Sequence, residues 1–217
     1  MKTKSLKTNI EIVRKKDQTT GTWAGGTTTQ LAIWPANADY KLRTFKWRVS
    51  TARVDLEESV FTSLPGIHRH IMILEGAVHL IHEGHHEKHL PAFEQDEFEG
   101  DWNTRSLGRC VDFNLMTAAG CDGKIEAVRE KPGRDCELAL FAVSRGGELE
   151  TAEAFYCLVP RLQAVLWDEQ ETAEAELEQG DFLLLRKNSP GPVKMFLKNV
   201  SGASAGHVLG VRAVVRY

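Results

Sequence analysis

Two short stretches of this chain put polar groups on one side of what reads as a strand. In Trp47-Arg48-Val49-Ser50-Thr51-Ala52 the alternation of side chains along an extended backbone gathers Arg48, Ser50 and Ala52 on one face, against Trp47, Val49 and Thr51 on the other. In Val111-Asp112-Phe113-Asn114-Leu115-Met116 the same rule sets Asp112 and Asn114 against Val111, Phe113 and Leu115. Neither polar face suits a dry core, because a buried polar group needs a partner. Both suit the wall of a pocket. Arg48, and with it Arg69, would present planar forks of donors that match a carboxylate, while Ser50, Asp112 and Asn114 meet an amine, imine or amide end of the same molecule. That chemistry is recognition of a small amino-acid-like or dicarboxylic metabolite. The bland alternative is that Arg48 and Asp112 pair with each other across neighbouring strands, a common structural device.

Other residue types with chemical potential are less well arranged. Seven of the eight histidines, His68, His70, His79, His82, His85, His86 and His89, fall in one short segment, and imidazole is the commonest metal ligand. His82, His85, His86 and His89, however, surround the polar stretch Glu83 to Lys88, which reads as a solvated hairpin loop. The cysteines Cys110, Cys121, Cys136 and Cys157 contain no C-x-x-C pair and are expected as free thiols. No Ser–His–Asp or Cys–His spacing is present, and Asp112 beside Asn114 is not a matched acid/base pair, so no catalytic residue is assigned. The segment from Gly21 to Gln30, with Gly25-Gly26 ahead of Thr27-Thr28-Thr29, lacks the P-loop pattern and reads as a bulged turn entering a strand.

Four pieces of sequence carry a family resemblance: "WRxSxA" from Trp47 to Ala52, "FxxxPGxxR" from Phe61 to Arg69, "LEG" at Leu74-Glu75-Gly76, and "DFNxM" from Asp112 to Met116. In this order and spacing the chain resembles the HutD/Ves family, small bacterial proteins associated with histidine utilisation that look like two cupin barrels in one chain. The resemblance implies an all-β fold of double-stranded β-helix (cupin) barrels, a bicupin, and ligands with the polarity of formiminoglutamate or urocanate. In the family the glycine segment reads approximately "NGGGxTxE", with backbone amides approaching a pocket, which adds Thr28 and Gln30 to the ligand-binding candidates. Here Trp23 stands near the asparagine and Gln30 replaces the glutamate; the arginine that often follows "DFNxM" is absent, since Thr117 leads to Ala118 and Ala119. Metal-binding cupins place an H-x-H and a glutamate upstream of the glycine. The corresponding positions here read Thr62-Ser63-Leu64-Pro65 and Arg69, and an arginine repels a cation. The expectation is therefore no metal and no cofactor.

The elements that must position these residues are strands. β-branched and aromatic residues alternate with polar ones from end to end, and even the Glu/Ala-rich stretch Thr172 to Gln179 has a period of two. Other expected strands include His70 to Glu75, Val78 to His82 and Leu138 to Val143. Turn-rich composition between Ala119 and Arg134 predicts a joint, giving residues 1–119 as a first barrel with the pocket and 120–217 as a second, smaller or degenerate barrel. With 217 residues there is enough chain for a real core. A net charge of −3 and a pI near 6.3 argue against nucleic acid as a partner. Met1 to Lys16 lacks a signal peptide's apolar stretch and no run approaches a membrane span, so a cytoplasmic protein is expected, with a homodimer allowed but not indicated. The function expected is binding of a small anionic metabolite by a sensor or modulator of amino-acid catabolism; the alternative is a cupin-type enzyme, either metal-dependent through the histidines or a metal-free isomerase or lyase.

Overall fold

The computed structural model describes residues 8–130, 135–141, 150–168, 171–187, 193–201 and 207–217. The turn-rich stretch 131–134 and the end of the strand expected over Leu138–Val143, at 142–143, lie outside the described residues. In chain order the first strands are β1 (Thr8–Val13), β2 (Thr19–Trp23), β3 (Gly26–Trp34), β4 (Trp47–Val54), β5 (Glu58–Val60) and β6 (Ile67–His82). There follow β7 (His86–Pro91), β8 (Gln95–Glu99), β9 (Thr104–Leu107), β10 (Cys110–Ala118), β11 (Asp122–Arg129) and β12 (Cys136–Leu140). The last are β13 (Thr151–Cys157), β14 (Arg161–Trp167), β15 (Thr172–Glu178), β16 (Phe182–Lys187), β17 (Val193–Asn199) and β18 (Val208–Arg216). Among the described residues the one helical element is a 3-10 turn at Lys15–Asp17, and no helix is long and apolar enough to cross a membrane. The fold is all-β, as its alternating pattern requires.

The chain divides into two compact units. One contains Gln18–Ile125 with Tyr217; the other contains Glu126–Arg216 together with the N-terminal segment up to Asp17. The N-terminal strand, grouped with the first half by the sequence reading, instead pairs antiparallel with β16, from Thr8 opposite Lys187 to Val13 opposite Phe182. Its inward residues Ile10 and Ile12 pack on the core of that unit, a partner choice that no local pattern in a six-residue strand reveals. This second unit has a five-stranded sheet, β1-β16-β13-β18-β11, and a four-stranded sheet, β12-β17-β14-β15. Phe155, Leu183, Leu185 and Leu209 from the first and Leu162, Leu166, Leu177 and Met195 from the second share one core. β15 is extended as its period of two requires, with Leu177 buried and Glu174, Glu176 and Glu178 exposed. A groove of about 940 Å³ here is lined by Arg14, Lys15, Arg161, Glu176 and Asp181. Within it Arg14 pairs with Asp181 and Arg161 with Glu176.

The first unit is a curled sheet in the order β2-β3-β4-β10-β6-β9-β5, with β7 and β8 also paired to β6. β6 is one continuous strand of 16 residues, not the two separated at "LEG" that the sequence suggested. Its first part pairs with β10 and β8 and its second part with β7 and β9. Gly76 makes the change of partner feasible. It has φ +79°, and a Cβ there would lie 2.5 Å from the Arg109 carbonyl oxygen. Ile71, Ile73, Val78, Leu80, Leu90 and Phe98 form the core inside the curl, and Phe45, Leu64, Ile67 and Met116 form a second cluster. The segment read as a solvated loop is shorter than expected, because β7 begins at His86 and His82 is buried. All four cysteines are free, and burial pushes the Cys110 thiol up to about 12 and that of Cys157 to about 11.

Replacing Gly76 by alanine forces a left-handed backbone onto an L side chain and drives its Cβ into the neighbouring strand. The expected cost is at least roughly 1–3 kcal/mol, read from the urea midpoint of unfolding. An unchanged midpoint would show that the bend in β6 does not depend on this residue.

Candidate functional site

Strand register brings "WRxSxA", "DFNxM" and the arginine end of "FxxxPGxxR" to one place. β4 pairs with β3 on one side and β10 on the other, and β10 pairs with β6, so residues opposite one another form rows across the sheet. One row reads Ile33, Arg48, Met116, Arg69; the next reads Gln30, Ser50, Asn114, Ile71; the third reads Thr28, Ala52, Asp112, Ile73. Opposed residues share a face. Every candidate from the sequence therefore lies on the same side of the sheet as the Ile71 and Ile73 of the core. On the other side Trp47, Phe113 and Leu115 are buried too, and Trp47 meets the Tyr217 ring edge-on at 5.8 Å.

The two arginines are buried without an ion pair among the described residues. Arg48 donates from Nε to Gln30 Oε1 and from a terminal nitrogen to Ser50 Oγ, each at 3.0 Å, and its guanidinium lies 4.3 Å from the centre of the Tyr40 ring. Both acceptors are neutral, so the charge is solvated but not cancelled. Arg69 rests on two rings, Phe61 at 4.8 Å and Phe98 at 5.1 Å. The two ends of the "FxxxPGxxR" motif thus touch each other. Arg69 Nε has no hydrogen-bond partner, and neither has Asp112 Oδ1 or Asn114 Oδ1. Burial lowers the affinity of the Arg69 guanidinium for its proton to a pKa of about 10, an effect that the Asp112 charge opposes. Burial raises the Asp112 carboxyl to about 7, with Arg69 acting in the opposite sense. Burial likewise lowers Arg48. In all three the lost hydration outweighs the attraction, the signature of charges that lack a full set of partners.

The pairing of Arg48 with Asp112 does not occur. Arg48 lies opposite Met116, four residues along β10 from Asp112, which at about 3.3 Å per residue is an offset of roughly 13 Å. Thr28 is half-buried in the row of Asp112. Tyr40, Phe61 and Phe98 were not among the candidates. Phe61 could have been found, since it opens the motif that ends at Arg69, whereas Tyr40 comes from a loop and Phe98 from the charged strand Gln95-Asp96-Glu97-Phe98-Glu99.

The histidines separate into two groups that could hold a cation, His68 with His70 and Glu97, and His82 with His86 and Asp96. His68 is turned toward Glu99 at 2.8 Å, and Glu97 is exposed. No ligand of either group falls on the positions at which the resemblance would place a cupin metal.

A family model described as HutD matches residues 15–199. This chain belongs to the HutD family. The structure of HutD from Pseudomonas fluorescens SBW25, described in a formate condition, is 19% identical, with a TM-score of 0.67 and 96% of this chain and 97% of that one covered. A conserved protein of unknown function from Pseudomonas aeruginosa PAO1 aligns over 96% of this chain and 98% of its own, at 21% identity and a TM-score of 0.72. The fold extends to oxalate decarboxylase of Bacillus subtilis, at 6% identity, a TM-score of 0.59 and coverage of 94% of this chain and 76% of that one. It extends also to a bacterial pirin of Escherichia coli in complex with nickel(II), at 9% identity, a TM-score of 0.58 and coverage of 96% and 98%. These likenesses show the cupin fold for this HutD family member. No curated protein sequence gave a significant match.

The raised carboxyl of Asp112 has a testable sign. In the unfolded chain it titrates near 3.9, so the folded state holds the proton to higher pH and the contribution of this group to stability is full below about pH 4 and lost as pH rises toward about 7. Asparagine carries no such penalty. Asp112→Asn should raise the melting temperature of the ligand-free protein relative to wild type at pH 8, by a stability gain on the order of a few kcal/mol, and this advantage should shrink at pH 5. An effect of equal size at both pH values would mean that Asp112 titrates as an ordinary carboxyl.

Proposed function

We propose that this HutD family protein binds a small carboxylate metabolite inside its first unit and acts as a non-catalytic sensor or modulator of amino-acid catabolism, that of histidine in particular. One observation carries the reading. Arg69 Nε, Asp112 Oδ1 and Asn114 Oδ1 are buried on one interior face without partners, beside a second buried arginine held only by neutral groups. An arginine nitrogen needs an acceptor and the two oxygens need donors, so the ligand should join a carboxylate to an N–H group. Formiminoglutamate and urocanate have that make-up.

Replacing Gln30 by glutamate would place a carboxylate on Arg48 and reduce its pull on an anion, which gives the glutamine of this chain a role in keeping the site positive. Calorimetric titration with formiminoglutamate, urocanate, glutamate and histidine tests the reading. At least one acid should bind, and Arg48→Ala or Arg69→Ala should weaken it by at least roughly 1.5 kcal/mol, about tenfold, while circular dichroism stays that of a β protein. If no acid binds the wild type, or the variants bind as well as it does, the reading fails.

A catalytic second reading rests on Asp112 alone, whose carboxyl near 7 is matched to proton transfer at neutral pH. Consumption of one of the same metabolites by the wild type but not by Asp112→Asn would select a metal-free lyase or isomerase instead.

A further inference from the structure

A second set of buried polar groups sits at the far end of β6. His82, the last residue of that strand, is 1% exposed. Its Nδ1 is hydrogen-bonded at 2.8 Å to Thr104 Oγ1 on β9, and its Nε2 lies 3.2 Å from Asp96 Oδ2 on β8. His86, the first residue of β7, brings its own Nε2 to 2.9 Å from the same carboxylate oxygen. Two imidazole nitrogens and one carboxylate oxygen, from three different strands, thus converge with all ligand atoms within 4.8 Å of one another.

From these groups we infer a binding site for a divalent transition cation of the zinc or cobalt type, formed by His82 Nε2, His86 Nε2 and one oxygen of Asp96, with a fourth position open to water or an exogenous ligand. The spacing fits. Metal bonds of about 2.0–2.1 Å in a tetrahedron place ligand atoms about 3.3 Å apart, so a cation would need only small side-chain adjustments around Asp96. Thr104 already holds the distal nitrogen of His82, which fixes the ring and directs Nε2 at the site, the part that outer-sphere partners play for metal-bound histidines. Trp102 packs edge-on against both imidazoles, at 5.6 and 5.8 Å, and His85 stacks on the Trp102 ring itself at 3.8 Å, walling one side.

One group competes. Lys88 Nζ stands 3.4 Å from Asp96 Oδ1, the oxygen not shared by the histidines. The side chain of Lys88 is 45% exposed and can turn to solvent as a cation enters. The group of His68, His70 and Glu97, in which Glu97 is exposed, is a poorer site, because His68 Nδ1 is already taken by Glu99 and His70 approaches Glu97 only at 3.4 Å.

The test uses the full chain without a histidine tag, stripped by chelation and titrated with cobalt(II). One equivalent should bind with the visible bands of a four-coordinate ion. His86→Ala, at a half-buried position whose loss leaves the core intact, should lower the affinity at least about tenfold. Lys88→Ala should raise it several-fold by removing the competing charge, and His68→Ala should leave it unchanged. On the wild type itself, one equivalent of zinc(II) should shift the imidazole resonances of His82 and His86 and not those of His68, a readout independent of how any variant folds. Binding below one equivalent, loss with His68→Ala rather than His86→Ala, or unmoved His82 and His86 resonances would overturn the inference and leave a self-sufficient hydrogen-bond network.

Discussion

Taking a guanidinium out of water costs several kcal/mol unless an opposite charge or a complete set of acceptors takes the place of the lost hydration. The first unit buries two of them on one interior face, Arg48 and Arg69. Arg48 recovers part of the loss from Gln30, Ser50 and the face of Tyr40, and Arg69 from the rings of Phe61 and Phe98. Neither is neutralised. Asp112 is close enough to influence Arg69 but forms no ion pair with it, and its own carboxyl is driven upward. The interior of this barrel therefore carries a net positive charge together with acceptors that lack donors. Under the proposed function, a small acid bearing an N–H group would supply what both lack.

The strands around that charge are arranged to hold it still. β4 and β10 are buried on both faces, so the side of each strand opposite the arginines is anchored by Trp47, Phe113 and Leu115. β6 contributes Arg69 from its first half and His82 from its second, with the bend at Gly76 between them. Phe98 touches both, lying 5.1 Å from the Arg69 guanidinium and 4.5 Å from the His82 ring. The buried arginine and the histidine cluster share this ring as a neighbour.

Much of the buried polar face was legible because strand geometry has a period of two. The alternation in Trp47–Ala52 and in Val111–Met116 is enough to place Arg48 with Ser50 and Asp112 with Asn114, and the rows observed across the sheet agree. That neither arginine lies opposite Asp112, both falling in the row of Met116, was not legible, since it depends on register between strands far apart in sequence, and register is fixed by packing of the whole sheet. The same limit hid the pairing of β1 with β16. Strands β7 and β8 escaped notice for a different reason. Histidine-rich and acidic sequences such as His86-Glu87-Lys88-His89 and Gln95-Asp96-Glu97 carry few of the apolar residues that mark a strand, yet they bring His86 and Asp96 to His82. Charged residues placed by neighbouring strands leave almost no signal in the local pattern.

The measurement that bears most directly on the central claim is a high-resolution crystal structure of the protein grown with a metabolite that joins a carboxylate to an N–H group, formiminoglutamate first. The account requires its carboxylate within hydrogen-bond distance of Arg69 Nε, with an N–H donated to Asp112 or Asn114. A barrel interior in which Arg69 and Asp112 bond to each other, with the metabolite absent or bound elsewhere, would contradict it.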